Sequence, residues 1–204
     1  FGCAVMTGVG AVLNTARIRA GDTVACVGLG GVGLNGLLGA KLAGAEKIIA
    51  VDISDDKLGF ARQLGATHTV NARDKDHVEQ IKDLTNGGVD YAFEFSGTIP
   101  ATETCYKSIR MGGEVLIVGL SPSNSLFSFN PSDIVNSEKA IRGSYMGSCV
   151  PVRDIPRYIE LYRQGKLPVD KLINKSIGFD KINDGFDQLS DGLVIRQILE
   201  PNQI

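Results

Sequence analysis

Residues 28 to 33 read Gly28-Leu29-Gly30-Gly31-Val32-Gly33, and nineteen residues beyond Gly33 an apolar run ends in Asp52. Glycines at the first, third and sixth places of such a run meet different needs. Gly28 permits a tight turn, Gly30 lets backbone approach a pyrophosphate, and Gly33 lets a helix lie close on a strand. The N–H groups of Gly31 and Val32 then open a helix and face an anion, strengthened by the helix dipole. A glycine-rich turn without a ligand is the plain alternative. The apolar run Thr23–Val27 before the motif and the helical run after it favour a bound dinucleotide. Asp52 extends that chemistry, because a carboxylate there accepts from ribose hydroxyls and repels a 2′-phosphate. No arginine follows it immediately, so NAD is expected rather than NADP. Lys57 sits one turn further on, where it either reaches the ribose or is a solvated helix lysine.

Other side chains capable of chemistry are sparse. Cys3, Cys26, Cys105 and Cys149 lie far apart and form no C-x-x-C pair, which argues against a disulfide framework or a self-contained zinc knuckle. Cys26 falls in an apolar strand pattern and Cys105 in a helical one, the setting of buried thiols, and a reducing cytoplasm is expected. His68 lies in a strand pattern and His77 at a helix start, and both read as core or surface histidines. A formal net charge of −2 with no Lys/Arg block gives no case for nucleic acid or an anionic membrane. The apolar runs are short and broken by glycine or charge, so no membrane span is expected. No secretory leader is visible, and the chain begins at Phe1.

The elements that must hold the motif follow from an alternation between about Thr23 and Ser144. Candidate strands are Thr23–Val27, Lys47–Val51, His68–Val70, Tyr91–Glu94, Glu114–Val118 and Ala140–Ser144. Candidate helices lie near Val32–Ala43, Asp55–Leu64, Asp76–Thr85 and Ala101–Ile109. This alternation predicts an α/β fold: a doubly wound, six-stranded parallel sheet of the Rossmann type, covered on both faces. Ser54 is placed to cap the Asp55 helix, whose Asp55 and Asp56 suit a helix N-terminus, while Gly65 and Gly44 are placed as helix stops. The flanks break the pattern. A helical stretch covers Val9–Ala16, and the tail has helices near Asp154–Gln164 and Asn183–Ser190 and a strand through Leu193–Leu199. These flanks read as a small piece of a second domain.

Taken as a set, these segments resemble the zinc-dependent alcohol dehydrogenases of the medium-chain dehydrogenase/reductase family. The likeness is carried by the glycine motif, Ile48-Ile49-Ala50-Val51-Asp52-Ile53, Lys57, Gly65-Ala66-Thr67, Asn86-Gly87-Gly88-Val89-Asp90, Phe93-Glu94, Ile117-Val118-Gly119 and Phe179-Asp180-Lys181-Ile182-Asn183-Asp184-Gly185-Phe186. It implies that Cys3, in Phe1-Gly2-Cys3, is a ligand of a catalytic zinc and that Thr7 packs against the nicotinamide. It further implies that Val118 walls the ring, that the backbone at Tyr145 and Met146 meets its carboxamide, and that Arg196 pairs with the pyrophosphate. Without the likeness, Cys3 reads as a buried thiol and Arg196 as a surface arginine. The resemblance divides the chain into 1–6 (the end of a catalytic-domain segment), 7–148 (the NAD-binding domain) and 149–204 (the C-terminal part of the catalytic domain).

The complete protein is thereby expected to move hydride between a small-molecule alcohol or aldehyde and NAD, with zinc polarising the substrate oxygen. A catalytic zinc needs three protein ligands, and this chain offers Cys3 alone at a matching position, so the chain by itself is expected to bind NAD without turning over alcohol. Two alternatives stand beside this reading. One is a zinc-independent reductase such as a quinone reductase, which Phe1-Gly2-Cys3 and Asp52 disfavour. The other is a non-catalytic NAD-binding module. The resemblance also implies a homodimer, formed through the sheet edge at Ala140–Ser144, and such an edge invites pairing. Phe95, Leu120 and Tyr145 are the nearby candidates for shaping a substrate site.

Overall fold

The computed structural model describes residues 1–201. Six parallel strands, β1 (Thr23–Val27), β2 (Lys47–Asp52), β3 (His68–Asn71), β4 (Val89–Glu94), β5 (Ile109–Ile117) and β6 (Ala140–Gly143), form one sheet in the order β3-β2-β1-β4-β5-β6. Helices α2 (Gly31–Ala43), α3 (Asp55–Leu64), α4 (His77–Leu84), α5 (Ile99–Ser108) and α6 (Pro131–Ser137) connect them. This is the doubly wound parallel sheet that the alternation required. Its central strands β1 and β2 are apolar on both faces for the same reason. Ala25, Val27, Ile49 and Val51 join Ile81 of α4 and Cys105 of α5 in one core, while Val24, Cys26, Ile48 and Ala50 are buried on the other face.

The chain runs outward from β1 to β3, then crosses to β4 on the far side of β1. Strand order therefore reverses between β1 and β4, and a crevice opens at their C-terminal ends, where ligands of this architecture bind. Ahead of β1, α1 (Ala4–Gly10) passes directly into a π-helical turn, Ala11–Ala16, that ends on left-handed Arg17. After β6 comes α7 (Pro151–Arg163). The chain separates into two compact units, Phe1–Leu167 and Pro168–Ile204. The second contains α8 (Ile182–Ser190) and a two-stranded parallel ladder of β7 (Lys175–Ile177) and β8 (Gln197–Leu199). The last three residues of the 149–204 segment lie outside the described residues.

Several local expectations need correcting. Ser54 occupies the N-cap of α3, yet its side chain makes no capping bond; its N–H is taken by Asp52 Oδ1 at 3.0 Å. Val118 falls just outside β5, although its N–H, with that of Gly119, still bonds the Glu94 carbonyl. The first helix begins at Ala4 rather than Val9. The strand expected through Leu193–Leu199 shortens to β8, since Asn174 Oδ1 captures the N–H groups of Ile195 and Arg196 at 2.6 and 3.0 Å. Ser144 lies one residue beyond β6 but still donates its N–H to Ile117 O at 2.9 Å. Gly44 and Gly65 do stop α2 and α3, with φ of 80° and 121°.

Candidate functional site

The glycine turn leaves the end of β1. Gly28 has φ +92° and donates its N–H to Val51 O at 2.8 Å; a Cβ there would lie 2.9 Å from Ser96 N. At Gly33 a Cβ would fall on the Gly28 carbonyl, so α2 starts as close to β1 as backbone allows. Gly30 differs. Its φ is an ordinary −76°, and a Cβ would meet nothing within 4 Å. The fold itself makes no demand for glycine there, and the space is left for something else. α2 has no side-chain cap and no acidic residue in its first turn, so no side chain of the helix itself occupies its positive end at Gly31 and Val32.

Asp52 closes this corner. It is 9% exposed, with Oδ2 accepting from Leu29 N at 2.7 Å and Oδ1 from Ser54 N at 3.0 Å. The carboxylate thus laces the turn after β1 to the turn after β2, a structural task in addition to the one its position suggested. Each oxygen keeps accepting capacity for a further donor. Beside it a cleft of about 450 Å3 is lined by residues that include Gly28, Asp52, Ile53, Lys57, His77 and Ser96. The structure therefore brings Lys57 to the Asp52 cleft. His77 also lines it, with Nδ1 2.7 Å from Asp74 O and Nε2 2.9 Å from Thr104 Oγ1. An uncapped helix N-terminus, an open Gly30 and a cleft beside a carboxylate fit a dinucleotide: pyrophosphate on the turn, adenosine in the cleft.

The sequence pattern of zinc-binding dehydrogenases matches residues 31–164. The chain belongs to that family. It is 35% identical to an S-(hydroxymethyl)glutathione dehydrogenase of Paracoccus denitrificans over 98% of this chain and 55% of that protein. It also superposes on a benzyl alcohol dehydrogenase from Acinetobacter calcoaceticus with TM-score 0.94 and 36% identity, covering 97% of this chain and 54% of the other. A zinc-binding alcohol dehydrogenase domain protein from Burkholderia ambifaria gives TM-score 0.94 at 35% identity, with 98% and 54% covered. The chain thus spans about half the length of these relatives.

Within this family member the remaining candidate residues are distributed as follows. Thr7 lies half-buried in α1, and Val118 is 9% exposed at the end of β5. Tyr145 is exposed and Met146 half-buried in the turn after β6. Arg196 is exposed in the second unit, beside Asn174. Cys3 is exposed at the start of α1, and among the described residues no three His, Cys, Asp or Glu side chains gather where they could hold a metal ion. These residues alone do not complete a zinc centre. Cys26 and Cys105 are buried, and burial pushes the Cys26 thiol up to about 12 and the Cys105 thiol well above its ordinary value, which leaves both protonated. No helix among the described residues is long and apolar enough to cross a membrane.

One residue of the site was not read as functional from the sequence. Glu94 ends β4, is fully buried, and accepts on Oε1 from Ser96 N (2.7 Å), Ser96 Oγ (2.7 Å) and Gly97 N (2.8 Å). Its carbonyl takes Val118 N and Gly119 N, both at 3.0 Å. Oε2 finds no partner among the described residues. Glu94 therefore fixes Ser96 behind Gly28 and Val118 at the end of β5. A glutamate closing an otherwise apolar strand was the available signal.

Proposed function

We propose that this chain is the NAD-binding part, with catalytic-domain flanks, of a zinc-dependent alcohol dehydrogenase that moves hydride between a small-molecule alcohol or aldehyde and NAD. The observation that carries the proposal is the open Gly30 position facing an uncapped α2 N-terminus beside the Asp52 carboxylate. NAD, when bound, supplies the hydride acceptor. Gly28, Gly30, Gly31, Val32 and Gly33 hold its pyrophosphate, and Asp52 and Lys57 its adenosine ribose. Thr7 and Val118 pack the nicotinamide, and backbone at Tyr145 and Met146 takes its carboxamide. Cys3 supplies one zinc ligand.

On this reading 1–6 and 149–204 belong to the catalytic domain and 7–148 to the coenzyme domain. The protein works in the cytoplasm, where its four free cysteines stay reduced, and pairs as a homodimer through the β6 edge, a border of the sheet. The test is calorimetric titration of the chain with NADH and NADPH. Saturable binding with NADH preferred is expected; absence of binding to both overturns the proposal. Alcohol-dependent NADH formation by this chain with stoichiometric zinc would refute the view that it is inactive alone.

A further inference from the structure

Met146, Gly147 and Ser148 are consecutive and all have positive φ, at 47°, 66° and 50°. This is a left-handed turn in which two residues carry side chains, a conformation L-residues rarely hold. Such backbone persists where its surroundings over-determine it. Here the surroundings are α1 and the π-helical turn that follows it. A Cβ on Gly147 would lie 2.7 Å from Gly10 Cα and 2.8 Å from Ala11 N, so the turn is seated directly on helix backbone. Asn14 Nδ2 donates to Gly147 O at 3.3 Å. Thr15 Oγ1 lies 2.8 Å from Ser144 Oγ and 2.9 Å from Ser148 Oγ, with Thr15 and Ser144 both 6% exposed. One buried hydroxyl thus ties both ends of the segment that contains the turn. Asn14 and Thr15 both come from the π-helical stretch, a rare geometry that recurs at functional sites.

We propose that Thr15, acting through Ser144 and Ser148, is a positioning residue for the nicotinamide end of the coenzyme. Its hydroxyl holds the left-handed turn so that the backbone at Tyr145 and Met146 is set for the carboxamide before the ligand arrives. The inference rests on the dinucleotide reading above and adds to it a residue that touches no ligand. Preorganisation of this kind raises affinity by removing the cost of ordering the loop on binding.

The experiment compares NADH with ADP-ribose, which shares every contact except those of the nicotinamide. Both are titrated calorimetrically into the unaltered chain, Thr15→Val, Thr15→Ser and Ser148→Ala, and amide hydrogen exchange is followed across 144–149. Thr15→Val should weaken NADH about tenfold, roughly the effect of one net hydrogen bond, while leaving ADP-ribose within about twofold. Thr15→Ser should restore affinity, Ser148→Ala should show the same split at smaller amplitude, and exchange across the turn should rise in Thr15→Val. Equal losses for both ligands, or unchanged NADH affinity in Thr15→Val, overturn the proposal. An unaltered chain that binds ADP-ribose as tightly as NADH also overturns it while leaving the dinucleotide reading intact. An unaltered chain that binds neither removes both.

Discussion

Gly30→Ala and Gly33→Ala add the same methyl group three residues apart, and the structure assigns them different fates. At Gly30 the new Cβ meets nothing within 4 Å and φ is −76°, so the folded chain accommodates it. An N-cap alanine costs about 0.5 kcal/mol relative to glycine. The loss of unfolded-state freedom returns about 0.4–1 kcal/mol, so the melting temperature should hold to within about 2 °C. The methyl does enter the space over the α2 N-terminus. Pushing a pyrophosphate off one charge-assisted N–H bond, at about 1.5–3 kcal/mol, should weaken NADH by about tenfold to about a hundredfold. At Gly33 the Cβ falls on the Gly28 carbonyl, which is backbone and cannot swing away. Overpacking of about 1–3 kcal/mol follows, lowering the melting temperature by about 2–12 °C together with binding. Thermal unfolding by circular dichroism and calorimetric NADH titration of both variants decide the matter. Wild-type affinity in Gly30→Ala, or a melting loss equal to that of Gly33→Ala, would refute the assignment of that space to phosphate.

Asp52→Asn places an amide N–H against either Leu29 N–H or Ser54 N–H, so the unliganded chain should lose about 1–3 kcal/mol in denaturant unfolding, besides losing preference for NADH over NADPH. The Asp90 carboxyl is raised by partial burial, but Thr23 N–H and Oγ–H, both at 2.7 Å, and Arg110 at 2.6 Å outweigh this and hold it below its ordinary 3.8. A depressed folded value means its stabilisation is complete above the unfolded value and lost as pH falls through the folded one. Asp90→Asn should therefore cost about 1–2 kcal/mol at neutral pH, with half-exposed Arg110 contributing little, and the gap from wild type should close below about pH 3.8 in acid unfolding curves. Gly143 at the β6 edge has nothing within 4 Å of a Cβ position, so Gly143→Lys should leave the fold intact while converting the homodimer proposed above to monomer in sedimentation equilibrium.

The sheet was legible because its central strands β1 and β2 are buried on both faces and so appear as nearly unbroken apolar runs. Strand ends were less so, since hydrogen bonds from distant residues decide them. Asn174 drawing off Ile195 and Arg196 N–H cannot be seen in local composition. α6 escaped because none of its residues is buried, so it carries no amphipathic stripe. Its one signal was Asn130-Pro131, where Asn130 Oδ1 accepts Ser132 N–H at 3.0 Å and proline fills the first helical position. The glycine turn, by contrast, was readable at Gly28 and Gly33, where steric need leaves glycine in the sequence, while Gly30 meets no steric need and its role rests on the pyrophosphate proposed above.

The double duty of Asp52 and the hub at Glu94 bear on how ready the cleft is before a ligand arrives. Asp52 fixes the two βα turns to each other, and Glu94 fixes the Ser96 loop and the end of β5, all through bonds internal to the first unit. The groups expected to meet a nucleotide are thus held by partners other than the nucleotide. Binding then has little loop ordering left to supply, and its free energy is available for discrimination between ligands. A carboxylate tied by two N–H bonds cannot swing aside for a 2′-phosphate, so the preference for NADH over NADPH should come from rigid repulsion. It should therefore weaken with rising salt only to the extent that a 9% exposed group is screened. A preference abolished by moderate salt would show instead that Asp52 is free to move and that the two turns are not locked together in solution.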